Sequence, residues 1–463
     1  MEFISNAVNF LNKIFGTYLL ITFLLGAGTY FTLKTKFVQF KMIKEMIVLL
    51  KEGTGEAKHG ISSFQAFCIS TASRVGTGNL AGVALAVAAG GPGAVFWMWV
   101  IALLGSASAF VESTLAQIYK EKNGTAFKGG PAYYIEKALH CKWLGLVFAV
   151  LISITYGLVF NSVQANTVSF AFENAFGISR SMVAIFLFVL TGLVIFGGVH
   201  KIASISEKIV PLMAVLYVLV VLVVLAINIT KLPDIMILIV KSAFGAEQFM
   251  GGTLGAAVMQ GIKRGLFSNE AGMGSAPNAA ATAHVTHPVK QGLVQTLAVF
   301  TDTLVVCSAT AFLILVSGTY QTSSADGIAL TQEALTSQIG SFGGPFVAIC
   351  IFLFAFSSLV GNYYYGEANI QFLCPENKAF LNIYRISCLL MIAGGSVAKL
   401  NFVWSLADLF MAFMAIINLY AIVRLGGIAK RCLDDYLLQK KQGKDPVFKA
   451  KNIGLTENVE CWD

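Results

Sequence analysis

A chain of 463 residues that is 56% hydrophobic and only 12% charged cannot cover its apolar surface in water, because soluble domains carry ~25% charged residues; its solvent is a lipid bilayer. The net charge of +8 sits in short connectors and a C-terminal tail, not in a basic stripe interleaved with stacking aromatics, which argues against nucleic acid as a partner. No G-x-x-x-x-G-K-[ST] loop occurs, which argues against an ATP-driven pump.

The first apolar stretch, 15–33, lacks a strong basic leader and an A-x-A cleavage site and reads as a retained membrane helix. About eleven such segments follow one another, each close to the ~20 residues that a hydrocarbon core requires. They centre near 15–33, 62–88, 92–118, 144–172, 181–199, 207–228, 256–284, 290–317, 345–372, 382–399 and 402–424. Two further stretches, 131–141 and 324–338, mix apolar and polar positions and read as surface helices. Eight cysteines form no C-x-x-C pair and lie mostly in apolar segments, as small buried hydrophobes do.

Basic residues set the orientation. Lys34, Lys36, Lys41, Lys44, Lys51 and Lys58 follow the first span, and Lys120, Lys122, Lys128, Lys137 and Lys142 follow the third. Later alternate connectors and the tail carry most of the remainder, including Lys290, Arg385 and Arg424. The positive-inside rule then predicts an external N-terminus and a cytoplasmic C-terminus in the inner membrane, which an odd number of spans matches.

Two segments that should be membrane-embedded are poor helix formers: 70–82 (STASRVGTGNLAG) and 266–281 (LFSNEAGMGSAPNAAA). Glycine costs a helix interior ~1 kcal/mol and proline ~3 kcal/mol, so both helices should unwind there. Arg74-Val-Gly-Thr-Gly-Asn79 aligns with Glu270-Ala-Gly-Met-Gly-Ser275. Each segment opens a set of five spans, and five is odd, so the second set is inverted. The chain then divides into an N-terminal part with a peripheral helix (1–60), a first repeat (61–228), a second repeat (248–425) and a tail (426–463). Inverted repeats with interrupted helices mark the central site of a secondary transporter. Bared N–H groups at one half-helix start attract a carboxylate. Bared carbonyls at the other end take Na⁺ or an ammonium, so a zwitterionic amino acid fits between them. The alternative for one Gly-rich span is close helix packing; two in register with polar neighbours favour the breaks.

The segments GGPGAVFWMWVIALLG (90–105), RVGTGNLAGVA (74–84), GGPAYYI (129–135), KRGLFSNEAGMGSAP (263–277), DTLVVCSATA (302–311) and FAFSSLVGNYYYGE (354–367) together resemble the alanine or glycine:cation symporter family over about residues 15–430. The resemblance implies Na⁺- or H⁺-coupled uptake of alanine or glycine. It also implies an all-α membrane fold of the LeuT-like type, with one peripheral helix before a five-plus-five core and unwound first and sixth core helices.

On this reading the backbone N–H groups of Thr77 and Gly78 hold the substrate carboxylate, with Asn79 beside them. Carbonyls near Phe267, Ser268 and Asn269 face the ammonium, and Met273 and Gly274 shape the pocket floor. The resemblance places Na⁺ between the hydroxyls of Ser357 and Ser358 and the carbonyls of Ala72, Val75 and Phe354, oxygen ligands being what a hard cation prefers. Serines bonding back to their own helix are the other reading. Some family members carry Trp where this chain has Asn362, capping a small pocket. Asn is smaller and brings a donor and an acceptor, which admits a larger polar substrate such as glutamine.

Charges inside spans cost ~2.5–3.5 kcal/mol each on insertion scales. Arg74 and Glu270 occupy equivalent places with opposite signs, and either pair across the two breaks or are separately solvated in a vestibule; the expectation is that they pair. Glu112 and Asp302 are embedded acids, available as proton or cation relays or as structural hydrogen-bond acceptors. Asn161, Gln164, Asn166, Gln291 and Gln295 are pocket or packing polars that sequence does not separate. His284 and His287 have metal spacing but no acidic or Cys neighbour to complete a site, and read as a cytoplasmic helix end. No cofactor is implied beyond the coupling ion. No nucleophile–base pair marks an enzyme, and a channel would have no use for an inverted pair of broken helices.

Overall fold

In the computed structural model, residues 2–53, 60–124, 126–245, 254–375 and 377–462 are described. Lys58 and position 248, where the second repeat was expected to begin, lie outside them. Among the described residues the architecture is almost wholly helical, and the one sheet is a two-stranded hairpin, Glu121–Asn123 with Ala126–Lys128. Among the described residues, eight helices are long and apolar enough to cross a membrane.

The principal helices are α1 (Leu20–Lys34), α2 (Ser63–Arg74), α3 (Val83–Gly90), α4 (Gly93–Ile118), α5 (Asn161–Phe176), α6 (Gly198–Ile227), α7 (Leu254–Asn269), α8 (Ala276–Thr282), α9 (Pro288–Phe300), α10 (Gly327–Ile339), α11 (Gly343–Leu373), α12 (Lys378–Val397) and α13 (Leu400–Lys441). The helix Lys142–Ile154 joins α5 through a π-helical stretch, and Arg180–Ile195 precedes α6. The amphipathic stretches fold as Pro131–Leu139 and α10. Two features depart from the sequence reading. A helix at Leu232–Ala243 was not anticipated, and α13 continues well past 424 to Lys441.

The interrupted helices lie at the centre. α2 begins with a capping box, in which Ser62 and Gln65 each satisfy the other's backbone N–H at 3.1 Å, and stops at Arg74. The chain leaves helical geometry at Val75 (φ −78°, ψ 89°), makes a π turn over Gly78–Gly82 and resumes as α3. α7 stops at Asn269 and α8 begins at Ala276, with Pro277 in its first turn, where a missing N–H costs nothing. Exposed large hydrophobics such as Phe186, Leu193, Leu219, Val223 and Ile383 lie on the outer helices, whereas α2, α7, α8 and α9 are buried over most of their length. The bundle is therefore inverted relative to a soluble protein, apolar outside and polar at its centre, as a lipid solvent demands.

Candidate functional site: two broken helices and an oxygen cage

The turns flanking the two interruptions meet: the π turn after the first lies against the last turn of α7 before the second. A β-carbon added at Gly78 would lie 3.0 Å from Ser268 Cα and 3.2 Å from Phe267 Cδ1, so any side chain here would push the two segments apart. At the neighbouring Gly76 a β-carbon would stand 2.3 Å from Ser358 Oγ and 2.8 Å from Gln164 Oε1. Side chains satisfy the bared backbone of the first break. Asn79 Oδ1 accepts from Gly76 N at 2.9 Å, and Gln164 Oε1 accepts from Thr77 N at 3.0 Å.

Asn79 also ties this break to an acid. Its Nδ2 donates to Asp302 Oδ1 at 2.7 Å, while Ser268 and Thr303 hydroxyls donate to Oδ2 at 2.8 and 2.9 Å. Asp302 thus joins a residue of each break and is fully buried. Among the described residues no Lys, Arg or His comes within 4 Å of its carboxylate. Asn269 turns its Oδ1 back to Ala271 N at 3.0 Å, and its Nδ2 is buried without a partner.

The second break is built differently. Glu270, Gly272 and Gly274 all have positive φ (57°, 86° and 82°). Glu112 on α4 accepts from Gly272 N at 3.2 Å, Gly274 N at 3.1 Å and Asn418 Nδ2 at 2.7 Å. Asn418 also donates to Gly272 O at 2.9 Å and accepts from Tyr134. Glu112 is therefore an anchor for the loop. Gly274 does not face the first break: a β-carbon there would meet Asn418, Phe148 and Pro131, each at 2.8 Å, because the Glu112 contacts turn its α-carbon toward α13. Met273 is buried, with its N–H on Glu270 O at 3.1 Å.

The expected pairing of Arg74 with Glu270 is not made as a direct ion pair. Glu270 Oε1 and Oε2 are taken by Ser73 and Ser275 hydroxyls, both at 2.7 Å, and Arg74 Nη1 donates instead to Gln295 Oε1 at 3.2 Å. Local hydroxyls outcompete the symmetric partner. Arg74 Nε and Nη2 are buried without partners. Ser73 Oγ also lies 2.7 Å from the Asn362 amide. Asn362 Oδ1 and Glu270 Oε1 are thus competing acceptors for the single Ser73 proton, and the Asn362 amide turns its Nδ2 away from Ser73. The other end of that buried amide is unpartnered.

Beside the first break, Ser358 Oγ lies 2.8 Å from Ala72 O, 3.0 Å from Phe354 O and 3.4 Å from Val75 O. Three carbonyls and a hydroxyl converge, two of the carbonyls freed by the unwinding of α2. This all-oxygen set suits a hard monovalent cation. Ser357 Oγ reaches Phe354 O at 2.8 Å and Met213 Sδ at 3.6 Å, and so sits at the edge of the cage.

Several residues of the site were missed or left unsorted by sequence. Gln164 now belongs to the first break, whereas Asn161 and Asn166 donate to carbonyls of neighbouring helices and serve packing. Above the breaks, Phe267 packs between Phe160 and Trp404, with ring centroids 4.7 Å from each. Arg264 lies 4.7 Å over the Trp404 ring and pairs with Asp408 at 2.5 Å. The embedded charge of Arg264 was the available signal; nothing local marks Trp404. His287 caps α9 through Val289 N at 3.2 Å and meets Asp435 at 3.2 Å.

The description "sodium:alanine symporter family" matches residues 1–450. The chain belongs to the sodium:alanine symporter family. It is 56% identical over 462 residues to a probable sodium/glutamine symporter, GlnT, of Bacillus subtilis, spanning 100% of this chain and 96% of that one. The amino-acid carrier protein AlsT of the same organism is 53% identical over 100% of this chain and 98% of its own length. A sodium/proton-dependent alanine carrier protein of Bacillus sp. PS3 is 39% identical over 90% and 97%. Among solved structures, MhsT in complex with L-phenylalanine superposes with a TM-score of 0.57 at 13% identity, over 86% of this chain and 93% of that one. That likeness gives the sodium:alanine symporter chain a LeuT-like fold.

Proposed function

We propose that this membrane protein is a secondary transporter that carries a small neutral amino acid, alanine or glycine, together with Na⁺ into the cell by alternating access. The observation that carries the reading is the contact, at Gly78 and Ser268, of the turns that flank the two breaks, with an oxygen cage beside the first break. The substrate carboxylate takes the N–H groups of Thr77 and Gly78, so Gln164 Oε1 must yield Thr77 N on binding. The ammonium takes carbonyls at Phe267, Ser268 and Asn269. Na⁺ bridges α2 carbonyls to α11 hydroxyls, so its binding energy favours the arrangement in which the inner half of the first broken helix lies against α11. That differential affinity is what couples ion to substrate. Phe160, Phe267 and Trp404, with Arg264–Asp408, form the outer lid.

Eleven spans, arranged as a peripheral helix and two inverted sets of five, give this mechanism its pseudo-twofold axis. The basic connectors place the C-terminus in the cytoplasm. The Asp302 carboxylate, lying between the broken helices with hydroxyl and amide partners and no direct ion pair among the described residues, is where H⁺ would serve in place of Na⁺. A second substrate reading, glutamine, rests on the unpartnered end of the Asn362 amide and on the most similar of the relatives above.

Na⁺-dependent uptake of labelled alanine into proteoliposomes tests the proposal, with glycine, glutamine and D-alanine as competitors. Uptake insensitive to Na⁺ and to pH gradients overturns cation symport; competition by glutamine at lower concentration than by alanine decides for the second substrate reading.

A further inference from the structure

The tail was expected to be a charged cytoplasmic extension, yet it folds back onto the protein. Trp462 and Phe448 are 8% and 2% exposed and pack edge to face, with ring centroids 5.4 Å apart. Phe448 N donates to Thr286 O at 2.9 Å, and Thr286 Oγ1 donates to Pro446 O at 2.9 Å. Trp462 Nε1 donates to Gln117 O at 2.7 Å, at the end of α4.

These contacts converge on the place where the inner halves of the two broken helices are joined. Ile61, just before α2, donates to Thr282 O at 3.3 Å and accepts from His284 N at 2.9 Å, a short bridge between the start of the first broken helix and the end of the second. The last carbonyls of α8 are held from α4: Gln117 Nε2 reaches Ala280 O at 2.5 Å and Ala283 O at 2.9 Å, and Lys120 Nζ reaches Ala283 O at 3.0 Å. Lys120 is 2% exposed. Its ammonium lies 4.1 Å from the Phe127 ring centroid and 4.9 Å from that of Trp462. Burial pushes it down to about 7, against an opposing pull from Cys461; the carbonyl at the helix C-terminus and the two rings stand where they favour its charged form. The tail supplies one wall of that cage.

We propose that residues 446–462 form a latch that holds the inner ends of α2 and α8 together, through Trp462 on Lys120 and Gln117, and must lift for the pathway to open on that face. The latch rests on the alternating-access reading, in which α2 and α8 separate as the protein opens inward. It makes the tail a determinant of how often the carrier faces the cytoplasm, without touching substrate or ion.

Hydrogen exchange on the full chain, on Trp462→Ala, on Trp462→Phe and on a chain ending at Gly443 tests it without reference to transport. The expected result is severalfold faster exchange at 61–66 and 280–284 in Trp462→Ala and the shortened chain. Trp462→Phe should fall between, because it keeps a ring over Lys120 but loses the N–H donor. The outer elements, 83–90 and 254–262, should not change. Unaltered exchange at 61–66 and 280–284, or an equal rise in the outer elements, overturns the latch. Should no version transport any amino acid, the transporter reading falls while the exchange pattern still shows whether the tail pins these ends.

Discussion

The two breaks are alike in sequence and unlike in construction. The first spans three residues between α2 and its π turn, has no residue of positive φ, and has its N–H groups covered by neutral amides, Asn79 and Gln164. The second runs from Glu270 to Ser275, contains three positive φ angles and is pinned by the carboxylate of Glu112. Hydrogen bonds to an ionised acceptor are about twice as strong as neutral ones. A substrate carboxylate can therefore displace an amide from the first break, whereas it has no access to N–H groups already held by a carboxylate at the second. The first break is the adaptable half of the site and the second its scaffold.

The largest effect should come from attacking the scaffold. Glu112→Gln replaces an ionic acceptor by one that can accept only through a single oxygen, at ~1.5–3 kcal/mol for each charged hydrogen bond lost. Thermal unfolding in detergent should shift down by several degrees and Na⁺-driven uptake should fall to background; an unshifted melt would make the two breaks equivalent. Next, Gly76→Ala drives a methyl into Ser358 Oγ and Gln164 and should abolish Na⁺-stimulated uptake while the melt moves little. Ser358→Ala removes the cage's central hydroxyl and should raise the Na⁺ concentration for half-maximal uptake about tenfold, equivalent to ~1.4 kcal/mol; Ser357→Ala, at the edge, should raise it less. The smallest effect is on selectivity. Asn362→Trp should weaken competition by glutamine a few-fold while alanine uptake persists, and equal loss of both would detach Asn362 from substrate choice.

Spans were readable because ~20 apolar residues per crossing is a demand of lipid thickness, and the breaks were readable because Gly and Pro disfavour a helix interior. The Glu112 anchor was open to either reading because its partners, Gly272 and Asn418, lie far along the chain and carry no local mark. Repeat symmetry brought Arg74 and Glu270 within electrostatic reach but did not predict their hydrogen-bond partners, because Ser73 and Ser275 satisfy the acid and Gln295 takes the guanidinium. Gln164 could not be told from Asn161 or Asn166, since all are amides in apolar helices and only the packing decides which one meets the break. The tail's docking was hidden by composition, two buried aromatics being outweighed by the surrounding lysines.

The most direct test of the central claim is binding of labelled alanine to purified protein with and without Na⁺, in the natural chain and in Ser358→Ala. At a Na⁺ concentration that half-saturates the natural chain, the account predicts that Na⁺ strengthens binding in the natural chain and leaves it nearly unchanged in the variant, whose Na⁺-free affinity matches the natural one. An equal Na⁺ effect in both would contradict the coupling of the oxygen cage to the first break.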